Sequence, residues 1–112
     1  MIVLRSDDEI ASIREAGSIL AGTLKKLKEC VRPGIRTKEL DELAAEEILR
    51  RKGLPAFKGY KNFPANICTS INEVVVHGIP SARKTSASVP LSSHGRVIHR
   101  CPLTACRNQT LW

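Results

Sequence analysis

Two apolar stripes at helical spacing, each with its own start and stop signals, constrain this chain more than any other feature. Ser6-Asp7-Asp8-Glu9 is a capping box. The Ser6 hydroxyl can accept the Glu9 backbone N–H while the Glu9 carboxylate reaches back to the Ser6 N–H. Beyond it, Ile10, Ile13, Gly17, Leu20, Leu24 and Leu27 recur in steps of three and four and build one face. Lys25, Lys26 and Lys28 fall in the last turns, where the helix dipole favours cations, and Pro33-Gly34 marks the stop. The spacing predicts a helix over about residues 7–30. Thr37 reads as the next N-cap, Leu40, Leu43, Ala44 and Ile48 as a second stripe, and Gly53 as its close. Glu46 and Glu47 precede Arg50 and Arg51 by four residues, the pattern of exposed ion pairs on a solvated face.

After Gly53 the period changes. Gly59-Tyr60-Lys61-Asn62-Phe63-Pro64 is turn-rich, Ile67-Cys68-Thr69-Ser70-Ile71 reads as a short strand, and Val74-Val75-Val76 as a buried strand or strand edge. His77-Gly78-Ile79-Pro80 ends it in a turn. Two long helices followed by short strands give an α/β (α+β layered) domain. From Thr85 the composition turns Ser-rich with Pro, and residues 85–112 read as linker or disorder rather than as part of the domain formed by residues 1–84.

Charge separates the same two parts. The 112-residue chain carries 18 Lys and Arg against 11 Asp and Glu, a net charge of +7, yet all of its acids lie at or before Glu73. Residues 74–112 hold Arg83, Lys84, Arg96, Arg100 and Arg107 and no carboxylate, so chemistry that needs one must find it earlier in the chain. The basic balance suits an anionic partner, and it serves solubility equally well. No run of 18 apolar residues is present to make a transmembrane helix. The first residues do not read as a signal peptide, so the expectation is a cytoplasmic protein without membrane contact. Four cysteines, Cys30, Cys68, Cys101 and Cys106, are too few for a disulfide framework, and Cys101-x4-Cys106 with His94 and His99 fits no closed zinc set.

His77, between an apolar strand and a Gly-Ile-Pro turn, could act as general acid or base, as metal ligand or as donor to a substrate, and the position suits a structural histidine too. Phe57, Tyr60, Phe63 and Cys68 could line an apolar pocket or simply fill a core.

Several stretches are then recognisable together. Ile10 to Gly17, Val31-Arg32-Pro33-Gly34-Ile35, Thr37 to Asp41, Phe57-Lys58-Gly59-Tyr60 and above all the ordered run Phe63 to Pro80 closely resemble the N-terminal part of type I methionine aminopeptidases. The resemblance covers residues 2–84. It implies part of the pita-bread fold, two αβ halves around a pseudo-twofold axis, and an enzyme that removes the initiator methionine from nascent peptides at the ribosome. It also implies two divalent metal ions (Co, Mn, Fe or Zn) that activate a water. On the same resemblance His77 is the catalytic histidine near the scissile peptide, Phe57, Tyr60, Phe63 and Cys68 line the pocket for the Met side chain, and Asn72 and Val74 offer backbone carbonyls to a monovalent cation. Asn62 stands where the family often has Gly, a change that stiffens the turn.

The resemblance stops at Lys84, before the family's aspartates, metal-binding histidine and glutamates. The expectation is therefore a chain that binds no divalent metal, is inactive alone as an aminopeptidase, and is marginally folded with its two helices best ordered. The tail looks like translation out of frame or an alternative exon. The competing readings are a non-enzymatic basic fragment that binds ribosome, RNA or a partner protein, without specific DNA binding, and a truncated product without function.

Overall fold

A computed structural model of the chain describes residues 2–71, 74, 77–85, 91–95 and 97–99. Helix α1 runs Asp7–Cys30 behind the full capping box: the Glu9 N–H donates to Ser6 Oγ, and the Ser6 N–H donates to the Glu9 carboxylate at 2.8 Å. Helix α2 runs Thr37–Arg50. Strand β1 is Gly53–Pro55 and a single 3-10 turn covers Tyr60–Asn62. Strands β2 (Ile67–Ile71), β3 (Leu91–Gly95) and β4 (Val97–His99) follow.

The stripe on α1 is turned slightly from the one its spacing predicts. Ile19, Thr23 and Leu27 are the buried residues, whereas Ile10 is exposed and Leu20 and Leu24 are half-buried. Thr23 tolerates complete burial because its hydroxyl donates to the Ile19 carbonyl one turn back at 2.9 Å. The stripe on α2 is as its spacing predicts, with Leu40, Ala44 and Ile48 buried. Leu27, Ile35, Leu40, Ala44 and Ile67 form one core cluster joining α1, α2 and β2.

Three local expectations differ. Thr37 is the first helical residue rather than the cap, and its hydroxyl bridges to Ser81, donating to the carbonyl at 3.1 Å and accepting the N–H at 2.8 Å. The left-handed residue after α2 is Lys52 (φ +63), not Gly53, which already begins β1. Glu47 is buried rather than on a solvated face. It accepts from Arg50 Nε and Nη2 and from Arg51 Nε at 2.6–2.9 Å. Those bonds, that from Arg50 first, lower its pKa from 4.5 to about 2.

Two antiparallel pairings complete the layer. β2 pairs with β3 from Ile67 opposite Gly95 to Ile71 opposite Leu91, and β1 pairs with β4 from Gly53 opposite His99 to Pro55 opposite Val97. Composition read this segment as linker. Its strands form because β1 and β2 present open edges, and edge pairing is set by the partner more than by local propensity. The rest of the expected tail, residues 86–90, 96 and 100–112, lies outside the described residues, as do Val75 and Val76 of the expected third strand. Val74 is half-buried, and its N–H closes a turn on the Ile71 carbonyl at 3.1 Å.

Candidate active site

The turn-rich segment before β2 folds as a tight loop. Gly59 (φ +82), Lys61 (φ +46) and Asn62 (φ +62) all adopt left-handed backbone, and three internal hydrogen bonds close it: Tyr60 N–H to Phe57 O, Phe63 N–H to Tyr60 O and Gly59 N–H to Phe63 O, at 2.9–3.0 Å. Two consecutive non-glycine residues in that region are uncommon, and Asn is the type that tolerates it best. The loop brings the Phe57 and Phe63 rings edge to face, centroids 6.1 Å apart at 75°. Tyr60 stays half exposed, with the Lys61 ammonium 5.5 Å from its ring centroid.

Asp41 sets where the following strand starts. Its carboxylate accepts the Asn66 N–H, the Asn66 side-chain amide and the Ile67 N–H, all at 2.8–2.9 Å. These bonds pin the first residue of β2 to α2, so Cys68 is carried into the interior at 3% exposure. Burial, and secondarily the Asp41 charge, pushes the Cys68 thiol up. It therefore remains a neutral, soft apolar group and not a nucleophile.

His77 is brought alongside the same strand. It is exposed and left-handed (φ +56), and the residue after it is locked onto β2. The Thr69 N–H donates to the Gly78 carbonyl at 2.8 Å, and the Gly78 N–H donates to Ser70 Oγ at 3.3 Å. A Cβ on Gly78 would lie 1.9 Å from the Thr69 carbonyl oxygen, so only glycine allows this approach. Among the described residues, Thr69 Oγ1 is buried in the same place without a hydrogen-bond partner.

The fold thus groups Phe57, Tyr60 and Phe63 in one loop, and puts Cys68 and His77 each within one residue of the Thr69–Gly78 contact. Val74 lies just beyond the end of β2, and Asn72 lies outside the described residues. Spacing gave no sign of Asp41 or Gly78, because their partners are 25 and 9 residues away with no local pattern linking them. Among the described residues no three His, Cys, Asp or Glu side chains come together as ligands for a metal ion.

Comparison with known proteins bears on this geometry. Residues 11–99 match metallopeptidase family M24, past the boundary expected at residue 84. The methionine aminopeptidase of Clostridium acetobutylicum is 49% identical over 84 residues, 75% of this chain and 34% of that protein. Methionine aminopeptidase 1 of Bacillus subtilis is 47% identical over 83 residues, covering 74% of this chain and 34% of the other. Among solved structures, the methionine aminopeptidase of Rickettsia prowazekii superposes with a TM-score of 0.83 at 34% identity over 87% of this chain and 39% of its own. That of Thermotoga maritima does so with 0.86 at 29% identity, over 89% and 41%. The chain spans about a third of the length of the curated relatives it matches. Two helices and short strands laid out as in the pita-bread fold of those structures, together with the family match over most of its length, place the chain in metallopeptidase family M24.

Proposed function

We propose that this chain carries the substrate-recognition side of a methionine aminopeptidase without that enzyme's metal centre. The observation that carries the reading is the donor set. The family implies divalent metals, and hard divalent ions need several carboxylate or imidazole ligands on one site. Asp41 is spent on the start of β2 and Glu47 on Arg50 and Arg51, and no carboxylate follows Glu73. Among the described residues no donor set fits the metals, so no hydrolytic step through them is assigned to this chain.

What remains belongs to recognition. Phe57, Tyr60 and Phe63, with the neutral thiol of Cys68, suit the unbranched side chain of an N-terminal methionine. His77, exposed beside Gly78, would donate a hydrogen bond to the peptide that follows it. The carbonyls of Asn72 and Val74 would serve a monovalent cation. Support for these roles comes from the family, from the paired aromatic rings and from the clamp on Gly78. The substrate class is nascent peptide beginning with Met, and the setting is the cytoplasm. No helix among the described residues is long and apolar enough to cross a membrane.

The test is the purified chain on a Met-Ala-Ser peptide with added Co²⁺ or Mn²⁺, alongside metal content after gel filtration. We expect no turnover and no stoichiometric divalent ion. Turnover that co-purifies with the chain, or close to two ions bound per chain as two-metal hydrolysis requires, would overturn the reading.

A further inference from the structure

Residues 81–85 return to the loop between α1 and α2 and form a short antiparallel ladder with it. The Gly34 N–H donates to the Thr85 carbonyl at 2.7 Å, Thr85 N–H to Ile35 at 2.9 Å, Thr37 N–H to Arg83 at 3.1 Å and Lys38 N–H to Ser81 at 2.9 Å. The ladder sets Arg36 directly opposite Lys84. The bonds from Thr37 to Arg83 and from Thr85 to Ile35 flank that pair, which makes it the non-hydrogen-bonded kind. In such a pair the two side chains leave one face at their closest spacing, and like charges there repel. Arg36 and Lys84 are both exposed, and among the described residues neither forms an ion pair.

The surroundings sharpen the oddity. Arg32 and Lys38 are also exposed beside Arg36, and residues 31–38 and 81–85 contain no carboxylate. The inward residues Ile35, Thr37 and Thr85 are buried. The ladder therefore has a core side and a cationic side.

We propose that this cationic side binds the phosphodiester backbone of a nucleic-acid strand. An oxyanion shared between Arg36 and Lys84 converts their repulsion into two charge-assisted contacts. The flanking cations Arg32 and Lys38 are spread along the chain on either side of the pair, which suits an extended polyanion. Within residues 34–38 and 81–85 the one large aliphatic side chain, Ile35, is buried, so the ladder itself offers a bilayer no apolar anchor. No aromatic side chain stands on either segment to stack a base, so contact is to the backbone and independent of base sequence.

The test measures binding of fluorescein-labelled poly(U) to the full 112-residue chain by anisotropy across a salt series. The Arg36→Gln/Lys84→Gln variant should lower the slope of log affinity against log salt by about 1.4, twice the roughly 0.7 lost per phosphate contact on a single strand. That is about a sevenfold smaller change between about 50 and about 200 mM salt. The swap Arg36→Lys/Lys84→Arg should keep the wild-type slope. Arg14→Gln/Lys52→Gln removes the same charge from sites away from the ladder and should move the slope far less. Circular dichroism of each variant separates loss of binding from loss of fold. An equal drop in the Arg14/Lys52 variant would reduce the effect to net charge and overturn the site. Displacement of poly(U) by inorganic phosphate at equal phosphate concentration would make it a single-anion site and overturn the polyanion. Tighter binding to phosphatidylserine vesicles than to poly(U), lost in the Arg36/Lys84 variant, would assign the face to membranes instead.

Discussion

The α1–α2 platform and the recognition segments built on it are held by different means. In the platform, side chains do the work: Leu40, Ala44 and Ile48 are at most 1% exposed, and Leu27, Ile35 and Ile67 close around them. In the recognition segments, backbone geometry does it. Gly59, Lys61, Asn62 and His77 are left-handed, and Gly78 lies in contact with the carbonyl of Thr69. The two regions should therefore fail differently. The platform should suffer when volume is removed, and the recognition segments when a Cβ or a branch is added.

The largest expected effect is in the platform. Leu40→Ala should lower unfolding stability by about 2–5 kcal/mol in a urea titration, the range for fully buried leucines. A loss below about 1 kcal/mol would mean that the helices do not share the core described above. Gly78→Ala should cost up to about 3 kcal/mol, the upper end of overpacking, because the clash is with backbone that cannot rotate away. If it proved neutral, the clamp on β2 would be dispensable and His77 free to wander.

Between the two regions stands Asp41, on the platform but serving the strand. Asp41→Ala should lose about 1–3 kcal/mol by stranding the Asn66 and Ile67 amides. Hydrogen exchange would speed first at Ile67; equal acceleration throughout α2 would show that Asp41 is only a helix residue. In the loop, Asn62→Val should cost about 1–2 kcal/mol, as a branched residue fits left-handed backbone poorly, whereas Asn62→Gly should leave the fold intact. Indistinguishable melting of the two variants would remove the distinction drawn between the regions.

The smallest effect is a pH dependence. Glu47 has a folded pKa of about 2 against an ordinary 4.5, so the unfolded chain binds the extra proton. Its contribution is fully present above about pH 4.5 and is lost as pH falls towards 2. Arg50 is largely solvent-exposed, so the pair is screened and the effect modest. Glu47→Gln should flatten the acid limb of a plot of melting temperature against pH and leave the neutral plateau nearly in place.

The sequence made the platform readable because helical burial repeats every three or four residues, and Leu40, Ala44 and Ile48 follow that repeat. Strand β2 was readable from Ile67, Thr69 and Ile71, β-branched at every second position. Thr23 was not, since its burial depends on a bond to its own helix. Nor was the bridge from Thr37 to Ser81, 44 residues away, which displaced the capping role a local reading gave it. The strands within residues 91–99 were hidden because their partners, not their composition, call them into being. At the candidate site the aromatic loop announced itself by its turn residues. His77 and Cys68 gained a role only through likeness to a family, because one histidine and one thiol carry no spacing of their own.

The ladder between residues 34–38 and 81–85 also sets an order of events in folding. Its contacts join positions 43 to 51 residues apart, across α2, β1 and β2. Closing so long a loop is slow beside forming a helix, which takes about a microsecond or less. During synthesis α1 and α2 are complete well before Ser81 to Thr85 exist, and until then the amides of Gly34, Thr37 and Lys38 face water. Arrival of Thr85, buried and bonded to both Arg32 and Ile35, ties the segment after β2 back to the end of α1.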